Sequence, residues 1–160
     1  MAILTKSGRA AIAAAIKAQN VYMAWGSGDA AWDLNPVPAP VTATALVAEI
    51  GRRRIAQALF CLPDPLGELI VPEGRFTASA EPTNFLYMRF LFDYVEAPSA
   101  IIREVAVFVG TEVSPSVPAG QDYVTPSQVI DPGQLLLLER PGRINRSTNV
   151  RQQFEFVTQF

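Results

Sequence analysis

The sequence contains 160 residues, the usual length of one domain with a single hydrophobic core. Charged residues make up 18% of the chain, against about 25% in typical soluble domains, and 49% are hydrophobic, so part of the surface is expected to be buried against other chains. Thirteen basic and fifteen acidic residues give a net charge of -2, which disfavours non-specific binding to nucleic acids and to membrane surfaces.

The residue inventory removes most of the common catalytic chemistry. Histidine is absent and Cys61 is the single cysteine, which excludes zinc sites, a disulfide framework and Ser-His-Asp or Cys-His nucleophiles. Cys61 lies in the apolar run 58–62, where we expect it to be a structural side chain. No apolar stretch reaches the roughly 18 residues of a membrane span, and no secretory signal is present. We therefore expect no metal, no cofactor and no membrane insertion.

The first predicted element is a helix over residues 5–19. This segment is rich in alanine, which has the highest helix propensity, and Ile12 and Ile16 lie one turn apart. Thr5 is the expected N-cap and Asn20 the expected stop. Because its apolar stripe is thin, this helix needs another element on which to dock.

A short strand at 21–25 and a glycine turn at 26–29 follow the helix. The next segment contains prolines at alternate positions, which favours an extended conformation. We call residues 33–43 the proline arm and expect it to lie over a neighbouring protein. Residues 43–50 are compatible with a short helix that ends at Gly51.

The remaining sequence has the pattern of β-strands separated by proline and glycine turns. The strongest pair joins two segments of alternating apolar residues, 84–95 and 100–109, and predicts an antiparallel hairpin. The full set of predicted strands is 53–62, 67–71, 74–79, 84–95, 100–109, 135–139 and 150–159. Between the predicted strands 100–109 and 135–139, residues 110–134 have four prolines and no periodicity, and are predicted to be a long loop that binds a partner.

These elements predict an α+β fold, in which one N-terminal helix packs on a mostly antiparallel β-sheet or sandwich. We expect one structural domain over residues 1–160. Its predicted parts are helix, strand and turn (1–32), proline arm (33–43), β-rich core (44–109), long loop (110–134) and C-terminal strands (135–160).

Two sets of residues are candidates for a ligand-binding or catalytic site. The turn 26–29, Gly-Ser-Gly-Asp, lacks the Lys-Ser/Thr that a phosphate-binding loop requires, so a plain turn is favoured. The carboxylates of Asp29, Asp33, Glu68 and Glu73 form two pairs suited in principle to a histidine-free hydrolase. Nothing around them predicts matched pKa values, and solvated loop carboxylates are favoured.

The arginines are better candidates for an interface. Arginine outnumbers lysine eleven to two, which suits bidentate ion pairs with carboxylates between proteins. Nucleic-acid binding is the alternative for the basic run at 52–54, and the negative net charge disfavours it. Trp25 and Trp32 are either interface anchors or core residues. The interface candidates are Trp25, Trp32, Pro36, Pro38, Pro40, Arg52, Arg53, Arg54, Tyr123, Arg140, Arg143 and Arg146.

Two short segments resemble tail proteins of bacteriophages. The opening Met-Ala-Ile-Leu-Thr (1–5) before an alanine-rich helix, followed by Ala-Trp-Gly-Ser-Gly-Asp (24–29), resembles the start of tail-fibre and baseplate-attachment proteins. Residues 102–110, Ile-Arg-Glu-Val-Ala-Val-Phe-Val-Gly, are similar to a strand of the same N-terminal attachment domains. The resemblance implies a structural protein of the virion tail, assembled in several copies in the host bacterial cytoplasm. Fibre proteins continue into a long shaft that this sequence lacks, which implies an adaptor or baseplate component.

We therefore expect a structural component of a phage tail, either a baseplate or a fibre-attachment protein. Its expected partners are other tail proteins and copies of itself, without nucleic acid or catalysis. A small cellular module that binds a ligand or peptide is the alternative, with Trp25 and Tyr22 in its site. Deletion of residues 112–132 is expected to leave a folded protein that no longer enters tails.

Overall fold

The computed structural model describes residues 1–160 and contains one α-helix, two 3₁₀ helices and fourteen strands. The helices are α1 (Lys6–Lys17), η1 (Ala30–Asp33) and η2 (Pro126–Gln128). The first strands are β1 (Val21–Gly26), β2 (Glu49–Arg54), β3 (Gln57–Pro63), β4 (Leu69–Val71), β5 (Gly74–Ser79), β6 (Phe85–Phe92) and β7 (Ile101–Ile102). The others are β8 (Glu104–Val109), β9 (Glu112–Val113), β10 (Tyr123–Val124), β11 (Val129–Asp131), β12 (Gln134–Glu139), β13 (Ile144–Asn145) and β14 (Gln152–Gln159).

One N-terminal helix with mostly antiparallel sheets confirms the predicted α+β class. The chain forms two compact units. The first unit consists of Met1–Gln19, Ile55–Phe90 and Gln153–Phe160, and the second of Asn20–Arg54 and Leu91–Gln152. A single structural domain over the whole chain stays a prediction. No helix has the length and apolar character required to span a membrane.

The first unit contains α1 and a five-stranded sheet in the order β14-β6-β3-β5-β4. Thr5 is the N-cap of α1, as predicted, since its hydroxyl accepts a hydrogen bond from the Gly8 amide at 3.2 Å. The core of this unit contains Cys61, Val71, Phe76 and Tyr87. Cys61 is fully buried, consistent with the structural role expected from its apolar neighbours.

The second unit contains a five-stranded sheet in the order β10-β2-β1-β8-β12. Every residue of β1 and β8 is buried, and each of these strands has a paired strand on both sides, so both faces of the sheet are covered at its centre. Ala24 and Ala106 face each other across this pair and pack with Phe108. The small alanines leave room for Leu46, Leu135 and Leu138, which lie against them.

The predicted hairpin between residues 84–95 and 100–109 is wrong. β6 pairs with β3 and lies next to β14, whereas β8 pairs with β1 and β12. The connection between them includes a turn in which Asp93 and Glu96 are hydrogen-bonded, with Ala97 at φ 46°. Two apolar strands close in sequence satisfy a hairpin pattern, but the pairing partners of β8 are β1 and β12, which belong to a different sheet from that of β6.

Two further local predictions are wrong. Residues 43–50 form no helix, and β2 begins at Glu49. This segment contains β-branched residues of low helix propensity, and the backbone of Ala48 is held by the Ser27 amide and the Glu104 carboxylate. The predicted strand 53–62 is two strands, β2 and β3, which belong to different sheets.

The segment predicted as a long loop, 110–134, contains β9, β10, β11 and η2. β10 pairs with β2, and its Val124 is fully buried. Deletion of residues 112–132 would remove β9, β10, β11 and the buried Val124 side chain, and whether this variant folds stays a prediction.

Candidate interaction site

The second unit has a cleft of about 370 Å³ where η1, the proline arm and the segment after β12 meet. Four of its residues are among the interface candidates predicted from the sequence, namely Trp32, Pro36, Arg140 and Arg143. The full lining is Trp32, Asp33, Pro36, Val37, Arg103, Arg140, Pro141, Gly142 and Arg143.

The glycine turn and η1 place Trp32 and Asp33 at the cleft. The Asp29 carboxylate caps η1 by accepting a hydrogen bond from the Ala31 amide at 2.8 Å. Gly28 has φ 54°, and a Cβ at this position would lie 2.3 Å from the Trp32 ring. Glycine is required here both for the backbone angle and for the approach of the indole. The prediction of a plain turn agrees with this geometry.

Asp33 and Arg103 form a bidentate ion pair in the cleft. Arg103 donates from Nε and Nη2 to the two carboxylate oxygens at 2.7 and 2.8 Å, and from Nη1 to the Ser27 carbonyl at 3.1 Å. Arg143 donates to the same carboxylate from Nη1 at 3.4 Å. The hydrogen bonds from Arg103 hold the pKa of Asp33 below its ordinary value and raise the pKa of Arg103.

Arg140 attaches the proline arm to the cleft. Its Nη1 donates to the carbonyls of Val37 and Pro38 at 3.2 and 3.0 Å. Its guanidinium carbon lies 4.0 Å from the centroid of the Trp32 ring, a cation–π contact. The Arg140 Nε is buried and has no hydrogen-bond acceptor.

The other predicted arginines are mostly used within the chain. Arg52 is buried and forms a bidentate pair with Glu49, with further bonds to Thr111 and the Pro132 carbonyl. Arg53 pairs with Glu96. Carboxylate partners were predicted for these arginines, and those of Arg52 and Arg53 lie in the same unit. Arg54 is exposed.

Arg146 and Trp25 lie in the interior of the second unit. Arg146 donates to the carbonyls of Val150, Asp93 and Glu96 at 2.8, 2.6 and 3.2 Å, and burial lowers its pKa. Trp25 is fully buried, with its ring stacked on Phe92 at 3.7 Å between centroids. Of the two readings of Trp25, core residue or interface anchor, the structure supports the first.

The remaining candidates lie close to these residues. Tyr123 accepts a hydrogen bond from the Trp25 indole at 3.2 Å, and burial raises the pKa of Tyr123. Pro36, Pro38 and Pro40 are exposed along the proline arm. Whether any predicted candidate contacts another protein stays a prediction.

The carboxylates considered for catalysis do not come together as one site. Asp29 and Asp33 belong to the second unit, where the first caps η1 and the second is paired with arginines. Glu68 and Glu73 belong to the first unit, in the turns around β4. No group of three or more acidic or cysteine side chains is placed to hold a metal ion.

Sequence reasoning missed the role of Arg103. The sequence placed Arg103 within an otherwise apolar strand, and it lies between β7 and β8, with Asp33 seventy residues away in the chain. The available signal was the interruption of an apolar pattern by a charged residue. This signal does not predict which residue pairs with Arg103.

One comparison with known proteins gives a match. Comparison with curated proteins gives no significant match. The family model described as "Baseplate wedge 3 tail fiber network component" matches residues 1–160, the whole sequence. This confirms the resemblance to bacteriophage baseplate and tail-fibre proteins, and it implies a structural role and a location in the virion tail with other baseplate proteins. The chain belongs to the family of baseplate wedge 3 tail fiber network components.

Proposed function

We propose that the chain is a structural adaptor that joins neighbouring proteins of the tail, including copies of itself, through several contact surfaces at once. It acts by permanent contact without catalytic turnover or binding of nucleic acid, and it assembles into the tail in the host cytoplasm. Membership of a baseplate family supports the structural role, and the exposed proline arm is the observation that carries the adaptor mechanism.

The proline arm exposes aliphatic side chains that a protein working alone would bury. The exposed fractions of Leu34, Val37 and Val41 are 86%, 47% and 103%. Burial of each side chain against a partner would contribute about 1.5–3 kcal/mol. Three exposed aliphatic side chains within the eight residues 34–41 of one extended segment favour a protein–protein contact.

The proline arm is held by polar contacts of its backbone. Arg140 binds the carbonyls of Val37 and Pro38, and the Ala43 amide donates to the Pro40 carbonyl at 3.0 Å. These bonds orient the segment while leaving its aliphatic side chains free. A partner would therefore meet an arm that is already ordered, which lowers the entropic cost of binding.

The first unit supplies a separate surface around β4, the edge strand of its sheet. Leu62, Leu66 and Ile70 are exposed there. An edge strand with apolar side chains favours pairing with an extended strand of another protein. One surface on each unit supports contacts with more than one neighbour.

The proposal is tested by complementing a phage that lacks this gene with the triple variant Leu34→Ser, Val37→Ser, Val41→Ser. Exposed substitutions change the free energy of unfolding by only about 0.5 kcal/mol each, so the variant should fold. Mass spectrometry of purified tails should find the wild-type chain at a fixed ratio to the tube protein and little or none of the variant.

Ile130→Ser is the matched control, because Ile130 is an exposed aliphatic side chain of the same unit outside the proline arm. It should enter tails normally. Normal incorporation of the folded triple variant, or equal loss of the Ile130 variant, would count against the arm as the contact. Absence of the wild-type chain from every tail fraction would overturn the adaptor role itself.

A further inference from the structure

We propose that the cleft binds a carboxylate side chain, Glu or Asp, presented by an acidic segment of a neighbouring tail protein. This inference rests on the proposed adaptor function and identifies the chemistry of one of its partners. The cleft shares Pro36 and Val37 with the proline arm, but it adds guanidinium groups that bind a charged side chain.

The lining of the cleft has an excess of positive charge. Three guanidinium groups, of Arg103, Arg140 and Arg143, face one carboxylate, of Asp33, which leaves a net charge of +2. Asp33 is engaged by Arg103 and Arg143. It does not pair with Arg140, whose charge is balanced within the chain only by the two carbonyls and the Trp32 ring. An anion would therefore find an uncompensated cation there.

The donors of Arg140 have no carboxylate partner within the chain, unlike those of Arg52 and Arg103. In Arg52 and Arg103, the edge formed by Nε and Nη2 donates both of its hydrogen bonds to one carboxylate. In Arg140, Nε is buried without an acceptor, and only Nη1 forms hydrogen bonds. In Arg140 the same edge has no acceptor within the chain, and Nη2 is the donor left for a ligand, because Nε lies beneath the surface of the protein.

The Nη2 donor of Arg140 is held in place before any ligand arrives. The two carbonyl bonds of Nη1 and the stacking on Trp32 fix the plane of the Arg140 guanidinium. A carboxylate in the cleft would accept a charge-assisted hydrogen bond from Nη2. Because the guanidinium is already oriented, little conformational entropy is lost when the ligand binds.

The shape and chemistry of the cleft favour a protein side chain over phosphate. Pro36, Val37 and Pro141 add apolar lining that can contact the aliphatic part of Glu, and about 370 Å³ accommodates a side chain with its flanking backbone. Asp33 remains in the lining and would repel a dianionic phosphate more strongly than a monoanionic carboxylate. The family places the chain among other baseplate proteins, which supply such side chains.

The experiment is an NMR titration of the ¹⁵N-labelled full-length chain with the blocked peptide acetyl-Gly-Glu-Gly-Glu-Gly-amide. The chain has two tryptophans, so the indole signal of Trp32 is assigned as the one that Trp32→Phe removes. We expect the peptide to shift this signal saturably and the buried Trp25 signal little. The same peptide with Gln in place of Glu should produce no saturable shift.

Variants identify the responsible arginine. Arg140→Gln should weaken peptide binding at least tenfold, and Arg140→Lys, which keeps the charge but has a single donor nitrogen, should recover part of it. Arg54→Gln is the matched control, because Arg54 is an exposed arginine of the same unit that does not line the cleft. Its affinity for the peptide should equal that of the wild type.

Several outcomes would overturn the inference. They are the absence of a saturable shift, equal binding of the Gln peptide, and equal weakening by Arg54→Gln. Tighter binding of inorganic phosphate than of the Glu peptide would assign the cleft to another class of anion. Failure of the adaptor function would appear in the incorporation assay instead, as absence of the wild-type chain from tails, whether or not the isolated chain binds the peptide.

Discussion

Asp33 and Arg103 lie seventy residues apart in the chain and are joined by two parallel hydrogen bonds of 2.7 and 2.8 Å. Asp33 ends η1 at the beginning of the proline arm, whereas Arg103 lies directly before β8, a central strand of the second unit. The pair therefore links the first residue of the proline arm to the start of β8, a fully buried strand of the sheet. Arg103 is 10% exposed as a side chain, so this link is shielded from solvent on its arginine side.

Removal of this pair should destabilise the second unit more than removal of an exposed pair. Asp33→Asn leaves the nearly buried Arg103 without its bidentate partner. Asp93→Asn is the comparison, because it breaks a pair with Arg151, whose side chain is about half exposed. Urea unfolding followed by tryptophan fluorescence reports on the second unit, which contains both tryptophans. The midpoint should fall further for Asp33→Asn. Equal midpoints for the two variants would show that the Asp33 pair is no more than a surface ion pair.

The same carboxylate should make the stability of the second unit depend on pH. The pKa of Asp33 in the folded chain is lowered from 3.8 by the hydrogen bonds from Arg103. Its contribution to stability is therefore present above the unfolded pKa and is lost as the pH falls through the lower folded value. The pKa of Asp93 is lowered too, so the wild type should lose stability from both groups. Urea midpoints measured from about pH 7 to pH 2 should fall less steeply for Asp33→Asn, and parallel curves would contradict this account.

Arg146 should be important for stability because its guanidinium closes the loop between Asp93 and Glu96. Arg146→Lys keeps the charge but has a single donor nitrogen, whereas Arg146 donates from Nη1 to Val150 and from Nη2 to Asp93 and Glu96. We expect a loss of about 2–4 kcal/mol in the free energy of unfolding. Arg54→Lys, at an exposed position, should change it by less than about 0.5 kcal/mol. A loss at Arg146 as small as that at Arg54 would contradict a role as a loop clamp.

Local sequence signals predicted the elements of this fold better than their arrangement. The helix cap at Thr5 and the strand β5 follow from short patterns, and the structure places them where those patterns do. Strand pairing depends on contacts distant in sequence, so the two apolar segments around residues 84–109 gave a hairpin that the sheets do not contain. A local pattern indicates that a strand is buried, but it does not indicate which strands pair with it.

The site was predicted only in part, because it also depends on contacts between residues that are distant in sequence. The sequence predicts Trp32, Pro36, Arg140 and Arg143 as interface candidates, and the structure brings them together in the cleft. Asp33 was considered only as a possible catalytic carboxylate, and Arg103 only as an exception within a strand. Their pairing spans seventy residues, and no spacing rule connects η1 with the residue before β8.

Gly28 should be required for the cleft as well as for the turn. Gly28→Ala places a methyl group about where the Trp32 ring now lies, whereas Gly120→Ala, also at a positive φ, meets no atom within 4 Å. The free energy of unfolding should therefore fall by about 1 kcal/mol in Gly120→Ala, which has only the cost of backbone strain. It should fall by about 2–4 kcal/mol in Gly28→Ala, which adds the clash with the ring. Gly28→Ala should also shift the Trp32 indole signal in the NMR spectrum. Equal losses, with an unchanged indole signal, would show that the ring moves aside without cost.

Cys61 should be unreactive in the folded chain. The thiol is fully buried in the core of the first unit, and burial raises its pKa to about 11, so the reactive thiolate is scarce at neutral pH. Labelling with iodoacetamide, followed by mass spectrometry, should proceed only after urea unfolds the first unit. In Cys61→Ala with Ser116→Cys, the exposed new thiol should be labelled under native conditions. Labelling of wild-type Cys61 at the rate of that exposed thiol would mean that the first unit opens readily and that β3 is not a stable core strand.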